Sequence, residues 1–147
     1  MKRDKLDILF SKLVRERSGW TCDNCHKYFP EEDRQALHCS HFWTRSRRAT
    51  RWHPNSAASH CVFCHKVFTE DPALFGAWIV THLGQERSEE MRKLSLSYGH
   101  LTKGDKADIY KHLQGEYQKI MDQREQGVTG RIDFDPAPIL VELEGKT

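Results

Sequence analysis

The sequence predicts an α+β protein in which a small zinc-stapled core is flanked by α-helices. Three observations support this prediction: two cysteine pairs, a strand-like segment between them, and helical patterns on both sides. Both pairs have C-x2-C spacing, and they supply four thiolates for a closed tetrahedral zinc site, at Cys22, Cys25, Cys61 and Cys64. We expect a structural metal because the region up to His65 has too few long apolar runs to be stabilised by packing alone.

Local patterns assign the elements around the cysteine pairs. Apolar residues at helical spacing between Asp4 and Arg17 predict an amphipathic helix that packs onto the zinc site. Segment 36–43 (ALHCSHFW) alternates as a strand does, and the arginine-rich segment 44–56 is predicted to be a long loop. From about Ser59 the second cysteine pair is expected to open a helix, as in a treble-clef zinc site.

Three further helices are predicted after the second cysteine pair. Asp71 caps the first of them ahead of Pro72, and this helix ends at Gly84. A weaker helical pattern covers residues 88–98. The third helix covers residues 102–126 and begins at T-K-G-D, which resembles a capping box.

The chain is predicted to divide into three parts. These are a zinc-stapled domain (1–84), a helical extension (85–126) and a flexible tail (127–147). The tail contains Asp-Pro and Ala-Pro steps, and a partner-docking strand is an alternative interpretation of it. No segment has the roughly 20 apolar residues that span a bilayer, and the first ten residues lack the apolar run of a signal peptide, so we expect a cytoplasmic protein without a membrane partner.

Basic residues are concentrated between the cysteine pairs, although the net charge is only +2. No acidic residue occurs between Asp33 and Glu70, and that stretch contains six basic residues: Arg34, Arg45, Arg47, Arg48, Arg51 and Lys66. Such a stretch suits a phosphate backbone, because binding releases condensed counterions. We therefore predict DNA as a partner, with weak sequence preference, strong salt dependence and phosphate contacts from Arg45, Arg47, Arg48 and Arg51. The alternative is an ordinary solvated basic face.

Histidines close to the cysteine pairs suggest a second, catalytic site. Phosphodiester hydrolysis needs a base to activate water and a cation to neutralise developing charge. His41, on the predicted strand, is the candidate base. His38 and His65 are the candidate ligands of a catalytic divalent cation, Mg or Mn, or a softer ion given the imidazoles.

The same side chains allow plainer interpretations. His38 and His41 could be ordinary half-buried or surface histidines, and His65 could simply follow a zinc ligand. Cys39 is either a small buried residue or a replacement for one of the four zinc ligands. Trp43 and Trp52 could stack on unpaired bases or could be packing residues.

Three segments follow one another between about Leu6 and Gly84: LVRERSGWTCDNC, CSHFWTRSRRATRWHPNSAASHCVFCH and DPALFGAWIVTHLG. Their order resembles the phage recombination proteins of the NinG (Rap) type and their HNH-nuclease relatives. The resemblance implies a ββα-metal (HNH, treble-clef-like) fold. It also implies a structure-selective endonuclease that acts on branched recombination intermediates such as D-loops or Holliday junctions, in a bacterial host cell if the protein is phage-encoded.

The resemblance also implies roles for individual residues. His41 matches the general-base histidine, His38 falls where relatives can carry an acidic metal ligand, and His65 matches the final His or Asn of the motif. The middle Asn of the motif, which braces the hairpin loop, is displaced. Its usual position holds Ser56, so either the loop shifts register or Asn55 fills this role one residue earlier.

A second function class stays open beside the nuclease. The chain could be a non-catalytic zinc-containing DNA-binding or adaptor module whose histidines are structural. A nuclease that resolves a four-way junction makes two paired cuts, which favours a symmetric homodimer. The predicted C-terminal helices, above all the one over residues 102–126, are the expected dimer element.

Overall fold

The computed structural model describes residues 2–33 and 35–147, and within these ranges six α-helices accompany one two-stranded sheet. The elements are α1 (Lys5–Arg17), β1 (Leu37–His41), a 3-10 turn (Pro54–Ser56), β2 (Ala57–Cys61), α2 (Val62–Glu70), α3 (Pro72–Leu83), α4 (Gln85–Leu96), α5 (Lys103–Glu125) and α6 (Pro138–Glu144). The predicted α+β class is therefore confirmed. Arg34, which belongs to the predicted basic stretch, lies outside the described residues.

The two strands form an antiparallel hairpin that leads directly into α2. The register pairs Leu37 with Cys61 and His41 with Ala57. Cys61 caps α2, because its side chain accepts a hydrogen bond from the backbone N–H of Cys64. β1 lies within the predicted strand, but the sequence did not predict β2. Every β2 residue is buried, so its small and polar sequence shows no alternation.

The main core lies between α1, α5 and the hairpin. The α1 side of this core consists of Leu6, Phe10, Leu13 and Val14, and the α5 side consists of Ile109, Leu113 and Ile120. The predicted first helix is confirmed, but its predicted packing onto the zinc site is wrong. α1 packs mainly against α5 and the two strands. The cysteine cluster has its own apolar cover, which includes Leu37 and Phe68.

The packing of α1 against α5 uses the apolar face of α5. This helix is the predicted dimer element, and its apolar face is covered by α1 within the same chain. Dimerisation through α5 stays a prediction, and it would have to use another face of the helix.

Residues 127–147 are not the predicted flexible tail. Ile132, Phe134, Ala137 and Leu140 are all buried in the main core. The backbone N–H of Ile132 also donates to the carbonyl of Arg17 at 3.0 Å. These apolar residues lie on both sides of Pro136 and Pro138, and their partners in the core are distant in the sequence. One core therefore crosses the predicted domain boundary at residue 84.

The predicted N-terminal caps of α3 and α5 are confirmed. The Asp71 side chain accepts from the backbone N–H of Leu74, and Thr102 and Asp105 form a reciprocal capping box. Gly127, which follows α5, has a φ of +91°. The weaker predicted helix corresponds to α4, which begins at Gln85. Across residues 2–33 and 35–147, no helix has both the length and the apolar character that crossing a bilayer requires.

Candidate functional site

The four predicted zinc ligands come together. The Sγ atoms of Cys22, Cys25, Cys61 and Cys64 all lie within 4.8 Å of one another. The sulfurs of Cys25 and Cys61 are 3.9 Å apart. Zn–S bonds of about 2.3 Å in a tetrahedron place sulfurs just under 4 Å apart, so this donor set fits a zinc ion. The cluster could hold a structural metal ion such as zinc.

Nearby N–H groups point at the cysteine sulfurs. The backbone N–H of Cys25 lies 3.5 Å from the Cys22 sulfur, and that of Cys64 lies 3.4 Å from the Cys61 sulfur. The Asn24 side-chain amide donates to the Cys64 sulfur at 3.3 Å. Donors at these positions can hydrogen-bond to the sulfur of a metal-bound thiolate. Both C-x2-C turns are therefore arranged as ligand-bearing knuckles.

Cys39 lies outside this cluster. Among the described residues, the group of sulfurs that could hold a metal consists of the other four cysteines. Cys39 is half-buried on β1, and burial raises the pKa of its thiol to about 11. A neutral thiol outside the cluster fits the small packing residue better than the alternative zinc ligand.

His41 lines a cationic cleft between α1 and β1. The cleft has a volume of about 600 Å³, and its charged lining consists of Arg3, Arg15, Arg45 and Asp7. The His41 ring packs beside that of Phe10, with centroids 5.9 Å apart. Burial, and secondly the charge of Arg45, lowers the pKa of His41 to about 4. The imidazole is therefore neutral in neutral solution and able to accept a proton.

His38 and His65 form a separate pair beside α2. Their ring centroids are 5.1 Å apart. Nδ1 of His65 is buried without a hydrogen-bond partner, whereas Nε2 of His38 lies 3.0 Å from the carbonyl of Gln35. His38 and His41 are three residues apart on one strand, so their side chains leave β1 on opposite faces, although both line the cleft. The structure thus brings the two predicted cation ligands together, and one of them, His38, shares the cleft with the predicted base.

A buried carboxylate holds the arginine loop, which we define as residues 42–56. Asp7 of α1 accepts from Nε and Nη2 of Arg51, at 2.9 and 2.6 Å, and from Nε1 of Trp52 at 3.0 Å. Burial alone would raise the pKa of Asp7, but these bonds and the Asp4 backbone lower it to about 2. Nη1 of Arg45 also lies 3.8 Å from Asp7.

This bracing changes the roles of two loop residues. Arg51 is only 8% exposed and has both ends of its guanidinium on Asp7, so the predicted phosphate contact is wrong for this residue. Trp52 is buried in the main core, as the packing interpretation expects. Arg47 and Arg48 remain exposed, as a phosphate contact requires.

Replacing Asp7 with asparagine is expected to destabilise the protein by about 3 kcal/mol, because Arg51 would then be a buried charge without its partner. Chemical denaturation at neutral pH measures this change in the free energy of unfolding. Asp4→Asn is the matched control, since asparagine also caps helices well. The lowered pKa of Asp7 also predicts that this carboxylate stabilises the folded state. Its contribution to the free energy of unfolding is present above pH 4 and is lost as the pH falls through about 2. Equal stabilities of the two variants would contradict the bracing role.

Asn55 lies away from the His41 cleft. It belongs to the 3-10 turn, where its backbone N–H donates to Nδ1 of His53 at 3.0 Å. With its amide oxygen turned toward α4, Asn55 accepts from Arg87 at 2.8 and 3.1 Å. Its neighbour Ser56 is buried and donates to the His53 carbonyl. These contacts fix the end of the arginine loop against α4, and none of them involves the predicted base.

A buried network that the sequence does not reveal supports this turn. His53 is fully buried, and its Nε2 lies 2.9 Å from a carboxylate oxygen of Glu144 in α6, which also pairs with Arg87. These two partners, His53 first, lower the pKa of Glu144 to about 2 despite its partial burial. Only the three-dimensional fold brings the α6 carboxylate to the turn, so no local sequence signal could have revealed it.

A second missed residue is His60, which lies on β2 immediately before Cys61. It is fully buried, and neither ring nitrogen has a hydrogen-bond partner among the described residues. Its ring packs on Trp78 and Phe68, with centroids 4.6 and 5.0 Å away. Burial lowers the pKa of His60 to about 4, so this histidine is a neutral packing residue of the zinc-site cover.

Comparison with models of known protein families, with curated proteins and with solved structures gives no match to this chain. A functional assignment therefore depends on the residues and geometry described above.

Proposed function

We propose that this protein is a metal-dependent DNA endonuclease of the HNH type, built on a ββα-metal core. The observation that supports this most strongly is the neutral imidazole of His41 in a cleft lined by arginines. A phosphodiester is an anion whose hydrolysis needs a proton acceptor beside cations. The hairpin followed directly by α2, with four cysteine sulfurs clustered at the junction, is consistent with such a core.

In this proposal, His41 is the general base. An imidazole nitrogen takes a proton from water, and the resulting hydroxide attacks phosphorus. Because the pKa of His41 is low in the free protein, the imidazole is unprotonated at neutral pH, but it is an intrinsically weak base. A bound phosphate would offset the charge of Arg45. This offset would raise the pKa of His41 and strengthen the base when substrate is present. Phe10 fixes the ring orientation by packing beside it.

His38 and His65 are the proposed ligands of the catalytic cation, Mg or Mn. Their adjacent rings, and the buried unpartnered Nδ1 of His65, fit a two-imidazole site whose other ligands are water and phosphate oxygens. When bound there, a divalent cation would neutralise charge on the phosphate and the departing oxygen.

The proposed substrate is branched DNA, such as a D-loop or a four-way junction. Arg45, Arg47 and Arg48 are the proposed phosphate contacts, and backbone contacts of this kind position DNA without reading its sequence. The preference for branched over linear DNA comes from the sequence resemblance described above, together with a homodimer that would make paired cuts.

The second candidate is a zinc-containing DNA-binding or adaptor module. One observation favours it: in the described part of the chain, the four cysteines are the only group of three or more Cys, His, Asp or Glu side chains close enough to share an ion. In this alternative, the exposed arginines bind DNA, and the histidines are structural.

Cation binding separates the two candidates. We expect zinc-loaded protein to bind additional Mn, measured by electron paramagnetic resonance or calorimetry, and to lose that binding in His65→Ala while keeping one zinc per chain. His112→Ala is the control, because His112 lies in α5 and bonds to the Asp135 carbonyl. Protein that holds one zinc and binds no further divalent cation, with or without DNA, would favour the binding module.

A further inference from the structure

A fully exposed tyrosine shares a cleft with the exposed arginines of the arginine loop. Tyr98, in the turn after α4, has a relative exposure of 100%. It lines a cleft of about 420 Å³ together with Arg47, Arg48 and His100. Because the ring removes no surface from water, folding does not explain its presence. Within residues 2–33 and 35–147, neither Arg47 nor Arg48 forms an ion pair with a carboxylate.

The two sides of this cleft are fixed to each other through Gly99. A Cβ atom built on Gly99 would lie 2.7 Å from the Cβ of Ala49, which is closer than real side chains approach. Ala49 is itself buried against Met91 and Leu94 of α4. The arginine loop and the tyrosine turn therefore meet at a contact that only glycine allows.

The turn that carries Tyr98 is anchored at both ends. The Ser97 hydroxyl donates to the Leu94 carbonyl at 2.7 Å, and the backbone N–H of Gly99 donates to the Ser97 carbonyl at 3.0 Å. Leu101, three residues after Tyr98, is buried in the main core. A short turn with fixed ends thus holds an exposed aromatic ring beside two guanidinium groups that form no ion pair within the described part of the chain.

We infer that Tyr98 stacks on an unpaired base of DNA while Arg47 and Arg48 bind the neighbouring phosphates. Single-strand sites combine an aromatic platform with cations along the backbone, and every base offers a face for stacking. The inference rests on the proposed DNA-binding function and deepens it, because it identifies the single-stranded part of a branch as the recognised feature. It also replaces the predicted stacking residues, since Trp52 is buried and Trp43 packs against the Ala49 cluster.

The test compares binding to two DNA probes without added divalent cations, so that no cleavage occurs. One probe is a blunt duplex, and the other is the same duplex with an unpaired flap that carries 2-aminopurine. We expect wild-type protein to quench the 2-aminopurine and to bind the flap more tightly. Tyr98→Ala should no longer quench the 2-aminopurine. Its affinity for the flap should fall roughly ten-fold, the usual loss of one stacked base, while its affinity for the duplex is unchanged. Tyr98→Trp should retain both properties.

Tyr28→Ala is the matched control, because Tyr28 is 67% exposed and lies outside this cleft. Wild-type flap binding by Tyr98→Ala, or an equal loss on both probes, would overturn the inference. The proposed DNA-binding function is tested separately by the double variant Arg47→Glu with Arg48→Glu. If this variant weakens binding to both probes while Tyr98→Ala has no effect, only the stacking inference fails. If the double variant binds both probes like wild type, both proposals fail.

Discussion

Zinc bound by the four cysteines is expected to hold the fold together, so that its removal should unfold the protein at neutral pH. Structural zinc contributes on the order of 10 kcal/mol of folding free energy in small zinc domains, which matches or exceeds the stability of an ordinary small protein. The apolar cluster around the four sulfurs has only two buried members besides cysteine, Leu37 and Phe68, and its other aromatic side chains are partly exposed. Packing there cannot replace a lost ion. Metal analysis should give one zinc per chain, and a chelator should abolish cooperative thermal unfolding.

Two cysteine variants separate ligand loss from packing loss. Cys25 is the exposed member of the four, so Cys25→Ala removes a ligand with little loss of buried surface. It should lose zinc and cooperative unfolding. Cys39 lies outside the cluster, so Cys39→Ala should keep one zinc and destabilise by only about 1 kcal/mol. A native melting curve for zinc-free protein would contradict the structural role of the metal.

Replacing His41 with alanine is expected to reduce DNA cleavage by about 10²- to 10⁴-fold, the usual contribution of a general base. Folding should be retained, because His41 is only partly buried. Binding of DNA should also be retained, since the exposed arginines are unchanged. Single-turnover cleavage, affinity and thermal stability measured on the same preparation test all three expectations.

The control for this variant is His112→Ala, which changes a histidine of α5 far from the cleft. It should cleave as wild type does. Unchanged cleavage by His41→Ala would reject His41 as the base. A parallel loss of cleavage and DNA affinity would instead make His41 part of the binding surface.

Short-range features of the fold could be predicted from the sequence. The spacing within each cysteine pair, the Asp71 cap and the Thr102 capping box each depend on residues only a few positions apart. The structure reproduces all of them, with the four sulfurs gathered and both helices starting as expected. The pairing of the two cysteine knuckles was also predictable, because four thiolates complete a tetrahedral zinc site and two do not.

Features that depend on distant partners could not be predicted. Asp7 reads as an ordinary helix-capping residue, and its bonds to Arg51 and Trp52 join positions 44 and 45 residues away. The sequence therefore predicts solvent-facing side chains along the whole basic stretch, although Arg51 is buried in an ion pair. Charge composition reports how many cations a loop holds but not which of them the protein itself neutralises.

The C-terminal segment illustrates the same limit. Its prolines and scattered apolar residues show no helical or strand period, so residues 127–147 looked unstructured. Phe134 and Leu140 are nevertheless buried in the main core, where the Phe134 ring packs edge-on against Phe10 of α1. Glu144 then reaches His53 and helps to fix the turn that carries Asn55. Tertiary packing, rather than local propensity, decides the structure of this segment.

The central claim is that the protein cuts branched DNA with a divalent cation. It is tested most directly by incubating zinc-loaded wild-type protein with linear duplex, D-loop and four-way-junction DNA of matched sequence, with Mg or Mn present, and by resolving the products on a denaturing gel. We predict strand cleavage near the branch in the D-loop or the junction, and little or none in the linear duplex. Binding of these DNAs without cleavage in either ion would contradict the nuclease and favour the zinc-containing binding module.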